Sequence, residues 1–136
     1  LLTGAGISLA IAMAFCKESN VFNDLKLTPK SFLYTFLYLA VFMAELVKSN
    51  FDIAIRVLSP SLPINPGIIS AKTTLKSKMG RLILANSITL TPGTFTVDII
   101  DDQLFIHCVN IKGEEQEEFG NRIVRKFEKY LEVIYG

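Results

Sequence analysis

A membrane protein that carries a small α+β domain is the fold class this sequence predicts, and three observations predict it. Residues 1–16 and 31–44 are densely apolar and hold no charged side chain. Pro60, Pro63 and Pro66 then break the chain before its character changes. Beyond them, apolar and polar residues alternate over 94–100 and 103–110, and a helical period follows over 119–134. The expected organisation is two transmembrane helices within residues 1–60, a proline-rich linker at 61–67 and an α+β domain at 68–136. Half of the 136 residues are hydrophobic and mean hydropathy is +0.39, too high for an ordinary soluble domain and too low for a pure helical bundle. One small domain beside a few membrane helices fits that balance.

The first span, 1–16, ends at Lys17-Glu18. It would rise only ~24 Å against a hydrocarbon core of ~30 Å, so residues missing from its start are expected. No basic stretch precedes the apolar run, which argues against a signal peptide. Gly4, Ser8 and Ala12 share one helical face, and Gly6, Ala10 and Ala14 share another. Small faces let helices approach closely, so this span is expected to pack against others.

Thr28-Pro29 opens the second helix, with proline suited to a first turn. Its span is expected at 31–48, with an amphipathic extension to about residue 58. Glu45, Lys48, Asp52 and Arg56 follow one another at helical neighbour spacings and form one charged stripe. Such a helix would be ~42 Å long and would project beyond the bilayer. Glu45 has two readings. An intramembrane carboxylate would line an ion or proton path. An interfacial one would pair with Lys48 one turn on, and the alternating signs and the place near the span's end favour that structural role.

Within the domain, Asn65-Pro66-Gly67 is a turn and 68–72 a short strand. Residues 75–90 read as a helix with Leu75, Met79, Leu82, Ile83 and Asn86 on its inner side. Thr91-Pro92-Gly93 ends it. A hairpin follows, with strands at 94–100 and 103–110. Phe95, Val97 and Ile99 are expected on its buried face, with Leu104, Ile106 and Cys108. The last helix shows one apolar stripe through Phe119, Ile123, Val124, Phe127, Tyr130, Leu131 and Ile134. Phe127 lies mid-stripe, whereas Lys126 is expected to be exposed. Glu114, Glu115, Glu117 and Glu118 precede Arg122, Arg125, Lys126 and Lys129, the order that suits the helix dipole. The element order is β-α-β-β-α, an antiparallel hairpin with two helices.

No catalytic constellation emerges. His107 is the single histidine and alternates with Ile106 and Cys108, so it reads as a strand-surface or interface residue rather than a base. Asp98, Asp101 and Asp102 gather near a tight turn, where aspartate is favoured for local hydrogen bonds. Gly80, Gly93, Gly113 and Gly120 form no phosphate-binding loop. Cys16 and Cys108 lie in different regions, without metal-ligand, haem or iron–sulfur spacing, and read as reduced structural thiols. A net charge of +1 gives no electrostatic case for nucleic acid.

Several runs carry a family resemblance. They are Glu45 through Asn50 to Pro60, Ile64-Asn65-Pro66-Gly67-Ile68, Leu75-Lys76-Ser77 and Leu84-Ala85-Asn86. Ile88 through Thr89, Leu90, Thr91, Pro92 and Gly93 to Thr94, then Val97-Asp98 and Leu104 to His107, continue it. The chain resembles the E-type subunit of the multi-subunit Na+/H+ (monovalent cation/proton) antiporters over about residues 30–110, most specifically around 85–98. Ser61 and Pro63 depart from the more polar residues the family pattern implies there.

The resemblance implies a non-catalytic accessory or assembly subunit, with ion movement in larger subunits. The implied partners are other membrane subunits and the lipid bilayer, with no cofactor, metal, nucleic acid or small-molecule substrate of its own. It also implies a further transmembrane helix upstream of the two seen here. Asn50, Pro66, Gly67, Asn86, Thr89, Thr91, Pro92, Gly93, Thr94, Asp98 and His107 become structural or interface candidates, and Glu45 the ion-path candidate. The same module is similar to a component of membrane-bound hydrogenase and sulfur-reducing respiratory complexes, which is the alternative host. A standalone anchor for a soluble partner is a third reading.

Five Lys/Arg and no acid between Arg56 and Arg81, against three Lys and two acids in 17–30, place the terminal domain in the cytoplasm by the positive-inside rule. The expected location is therefore the plasma membrane, multi-pass, with a cytoplasmic C-terminal domain.

Overall fold

The computed structural model describes residues 2–18, 24–26, 28–111 and 115–136, and at 2, 5, 10 and 14–18 the backbone alone. Two helices lead, α1 at Leu2–Glu18 and α2 at Pro29–Leu58. β1 (Gly67–Lys72), α3 (Lys78–Leu90), β2 (Thr94–Ile100), β3 (Gln103–Cys108) and α4 (Gln116–Tyr135) follow in the expected β-α-β-β-α order. Among the described residues, α2 is the helix long and apolar enough to cross a membrane.

β3 is the central strand, antiparallel to β1 on one side and β2 on the other. The alternation along β3 works as expected, with Leu104, Ile106 and Cys108 buried and His107 on the opposite face. Ile69 and Ala71 of β1 extend the inner face, and α3 and α4 cover it. Gly120 sets how closely α4 approaches: a Cβ there would lie 2.8 Å from the Ser70 carbonyl oxygen. Burial holds the Cys108 thiol protonated, its pKa pushed up to about 11. The side chain of Cys16 lies outside the described residues.

Two expected faces are corrected. On α3 the buried side is Leu84, Ala85, Ser87 and Ile88, whereas Leu82 and Asn86 are exposed. Leu75 is indeed buried but precedes the helix, which begins at Lys78 after Ser77 caps it by accepting from the Gly80 N–H at 3.2 Å. Counting the helical period from Leu75 therefore rotates the stripe.

On β2 the threonines face inward and Phe95 and Val97 face out. Thr94 Oγ1 donates to the Ile88 carbonyl at 2.7 Å and Thr96 Oγ1 to that of Ala85 at 3.1 Å. The strand thus sits on α3 through hydroxyls that satisfy carbonyls of the helix's last two turns. A bulge between Thr96 and Asp98 absorbs Val97 and returns Ile99 to the inner row opposite Leu104.

Smaller shifts occur at the ends. β3 stops at Cys108, and Asn110 forms an isolated parallel bridge with Asn65. α4 starts at Gln116 with Glu117 and Glu118 in its first turn, and Glu114 lies outside the described residues. The α4 stripe is as expected: Phe119, Val124, Phe127, Leu131 and Ile134 are buried, with Ile123 packed partly against them.

The linker after Leu58 does not separate α2 from the domain. α2 runs antiparallel along α4 and adds Tyr34, Tyr38 and Phe42 to the margin of the core. The core thus has three layers: α2, then α3 with α4, then the sheet.

Candidate functional site

The seam where α2 meets the domain brings Glu45 together with the Thr91 to Thr94 turn. Thr28 opens it, its Oγ1 accepting from the Ser31 N–H at 3.1 Å, with Pro29 in the first turn. Ser31, buried, donates from Oγ to the Val133 carbonyl at 3.2 Å and pins the start of α2 to the end of α4. Farther along, the rings of Tyr38 and Phe42 lie 6.4 and 6.3 Å from that of Phe127, and Tyr34 lies 6.3 Å from Tyr130. The hydroxyls of Tyr38 and Ser87 share a hydrogen bond that links α2 to α3.

Glu45 lies one turn beyond this aromatic cluster. Its partner is Lys126 of α4, Nζ to Oε2 2.6 Å, and not the expected Lys48. Lys126 is correspondingly half-buried rather than exposed. Glu45 points toward α4, where a cation from another element approaches it, while Lys48 stays on the exposed flank. Farther on, Arg56 Nε binds Asp52 at 2.8 Å, as the stripe predicts, and its Nη1 donates to the Pro63 carbonyl at 2.8 Å. That second bond ties the end of α2 to the linker.

Beyond Glu45, α2 and the domain enclose a cleft of about 430 Å³ lined by Glu45, Ile53, Pro92, Gly93, Arg122 and Lys126 among others. Its floor is the α3–β2 turn. Thr91 Oγ1 donates to the Ser87 carbonyl at 2.8 Å, and Gly93 takes φ +91, which favours glycine. Ile53 Cδ1 stands 3.1 Å from where a Gly93 Cβ would be, so close packing as well as dihedral angle selects glycine. Thr89 Oγ1 accepts from the Thr96 N–H at 3.1 Å and fastens β2 to the helix before it.

The signature residues therefore divide. Thr91, Pro92, Gly93 and Thr94 meet Glu45 at the cleft. Asn50 is exposed and donates to the Leu46 carbonyl at 2.8 Å. Pro66 and Gly67 lead into β1, where a Gly67 Cβ would fall 2.6 Å from Ile111 Cδ1. Asn86 is exposed on α3, and Asp98 accepts from the Ile99 N–H at 2.8 Å. His107 sits on the outer sheet face, in register with Ile68 and Phe95.

One acid escaped the sequence reading. Glu128 is buried and accepts from Thr73 Oγ1 at 2.5 Å and from the Thr74 N–H at 2.6 Å. It latches α4 to the strand-to-helix connection after β1. The signal for it was a carboxylate adjacent to the apolar stripe, which reads from sequence as a solvated flank. Among the described residues no three His, Cys, Asp or Glu side chains gather as a metal site.

A family model described as MNHE, Na+/H+ ion antiporter subunit, matches residues 1–134. The E1 subunit of a Staphylococcus aureus Na(+)/H(+) antiporter is 38% identical over 88 residues, 62% of this chain and 55% of its own length. The chain thus spans about half the length of the curated relatives it matches. Among solved structures, a chain of the membrane-bound sulfane sulfur reductase, an archaeal respiratory membrane complex, aligns with TM-score 0.80 and 40% identity over 98% of this chain and 83% of its own. A chain of the Mrp complex from Dietzia sp. DQ12-45-1b aligns with TM-score 0.52 and 19% identity over 71% of this chain and 91% of its own, a likeness of fold. With nearly its whole length matched, this chain belongs to the E-type family of Na+/H+ antiporter subunits, which is not a family of enzymes.

Proposed function

We propose that this protein is a non-catalytic accessory subunit of a multi-subunit, membrane-embedded monovalent cation/proton antiporter-type complex. The family match over residues 1–134 carries the reading. The described part of α1 supports a membrane anchor: Thr3, Gly4 and Gly6 to Leu9, with Ile11 to Met13, are uncharged and exposed. The α+β domain faces the cytoplasm, following the eight Lys/Arg that 17–30 and 56–81 place on the domain's side of α1. Glu45 serves as a docking charge between α2 and α4, on the strength of its 2.6 Å contact with Lys126.

A second host is favoured by one observation, the 40% identity over 98% of the chain to a component of a respiratory complex. In that host the same module would belong to the ion-translocating part of a redox-driven pump.

Purifying the detergent-solubilised complex by a tag on this chain and identifying the co-purifying subunits separates the two. Antiporter-like subunits alone establish the antiporter, whereas redox subunits in stoichiometric amount establish the respiratory host. Recovery of the chain without any other membrane protein overturns both. A reporter active only outside the cytoplasm, fused after Gly136, should give no signal.

A further inference from the structure

We propose that α2 does not cross the bilayer but lies flat in its cytoplasmic surface, its outward face sunk just beneath the lipid headgroups. This rests on the reading of the chain as a membrane subunit with a cytoplasmic domain. From Phe32 through Phe36, Met43, Val47 and Phe51 to Leu58, the side of α2 turned away from the domain is exposed and apolar. No charged residue interrupts it. Asn50, the amide within it, donates from Nδ2 to the Leu46 carbonyl of its own helix at 2.8 Å. Thirty residues make this face ~45 Å long, well beyond the ~30 Å that a crossing helix needs.

Crossing is opposed by what α2 carries. The domain is docked along it from Ser31, hydrogen-bonded to Val133, to Ile53, packed on Gly93. A perpendicular α2 would draw α4 into the hydrocarbon with exposed Arg122, Arg125, Lys129 and Glu132. Each such charge is costly at mid-bilayer, even on the lenient insertion scale. Laid flat, α2 keeps the domain in water and its apolar arc in lipid, the arrangement of an interfacial amphipathic helix.

Charge and connectivity select lipid as the occupant. Both acids of α2 sit in ion pairs on or beside the docked side, Glu45 with Lys126 and Asp52 with Arg56, whereas Lys30 and Lys48 are exposed at the border of the apolar arc. The cations thus lie where anionic headgroups would meet them. The connection from α1 is also pinned to the domain beside the start of α2. Ser77 Oγ donates to Asp24 at 2.7 Å, and the Lys26 N–H donates to the Ile134 carbonyl at 2.9 Å. From Glu18 to Asp24 the chain can span only ~20 Å, so an α1 that crosses the membrane delivers the first turn of α2 to the surface.

The chain contains no tryptophan, so single-tryptophan variants report depth cleanly. Phe36→Trp, Val47→Trp and Ile55→Trp on α2, Ile7→Trp on α1 and Phe95→Trp on the outer sheet replace exposed residues. The full chain is reconstituted into phosphatidylglycerol/phosphatidylcholine vesicles brominated near the headgroup or deep in the acyl chains. All three α2 variants should be quenched alike and more by the shallow bromines, with Ile7→Trp quenched by the deep ones and Phe95→Trp unquenched. On a crossing helix positions 36 and 55 would lie ~28 Å apart along the bilayer normal, toward opposite headgroup layers, with 47 near mid-bilayer and quenched most by the deep bromines, and that pattern overturns the proposal. Unquenched α2 variants beside a quenched Ile7→Trp also overturn it, because protein then covers the face. If Ile7→Trp is unquenched as well, the membrane reading itself fails.

Discussion

Two apolar surfaces face outward on opposite sides of this protein, and they are built differently. The outward arc of α2 is apolar without a charge for the length of the helix. The outer face of the sheet is a grid whose rows are Ile68–His107–Phe95, Ser70–Phe105–Asp98 and Lys72–Gln103–Ile100. Ile68, Phe95, Val97 and Ile100 are exposed there, but each lies near a polar neighbour. The contrast teaches what each surface can border. The α2 arc carries no charge and its one amide, Asn50, bonds its own helix, whereas hydrocarbon over the grid would bury imidazole, hydroxyl, carboxylate and ammonium groups. The α3–α4 layer between them keeps the two surfaces apart.

The largest effect should come from breaking the layer that separates them. Phe127 is buried between the core and the Tyr38 and Phe42 rings, so Phe127→Asp places an unpaired carboxylate there. We expect a loss of about 3–5 kcal/mol and an undocked α2, read from the denaturation midpoint and from loss of the protein from the proposed complex. A folded variant with α2 still docked would contradict the three-layer core.

Glu45→Gln should act far more weakly. The ion pair with Lys126 is partly solvated, with side chains 23% and 38% exposed, so its removal costs about 1 kcal/mol at most. Assembly and ion transport of the complex should stay near the parent values. Intact assembly with transport abolished would instead make Glu45 part of an ion path, and the docked side of α2 would no longer be purely structural.

Phe95→Ser sharpens the comparison from the other side. Phe95 is 54% exposed, and its loss should change the stability of the isolated protein by no more than about 0.5 kcal/mol. A loss above about 2 kcal/mol would mean that the outer sheet face is packed rather than open.

Residue patterning alone determined the elements and their order. The three prolines, the Thr91-Pro92-Gly93 turn and the two alternations mark boundaries because they act through local dihedral and hydrogen-bond preferences. The strip on α4 was legible for the same reason: seven apolar residues at one helical period admit one buried face. Tertiary structure decided what the elements turn toward. β2 reads by alternation as Phe and Val inward, but carbonyls of α3 draw Thr94 and Thr96 to that side and a bulge reconciles the rest. α3 buries Leu84 and Ile88 because its cap lies at Ser77, two residues after the leucine that seemed to set its phase.

The partner of Glu45 is decided in the same way, since Lys126 lies far along the chain and only the antiparallel docking of α2 on α4 brings it to 2.6 Å. Apolar content told that α2 has a greasy surface. That one side of it is covered by this protein's own core, leaving the opposite arc bare, depends on contacts between distant residues that no local pattern encodes.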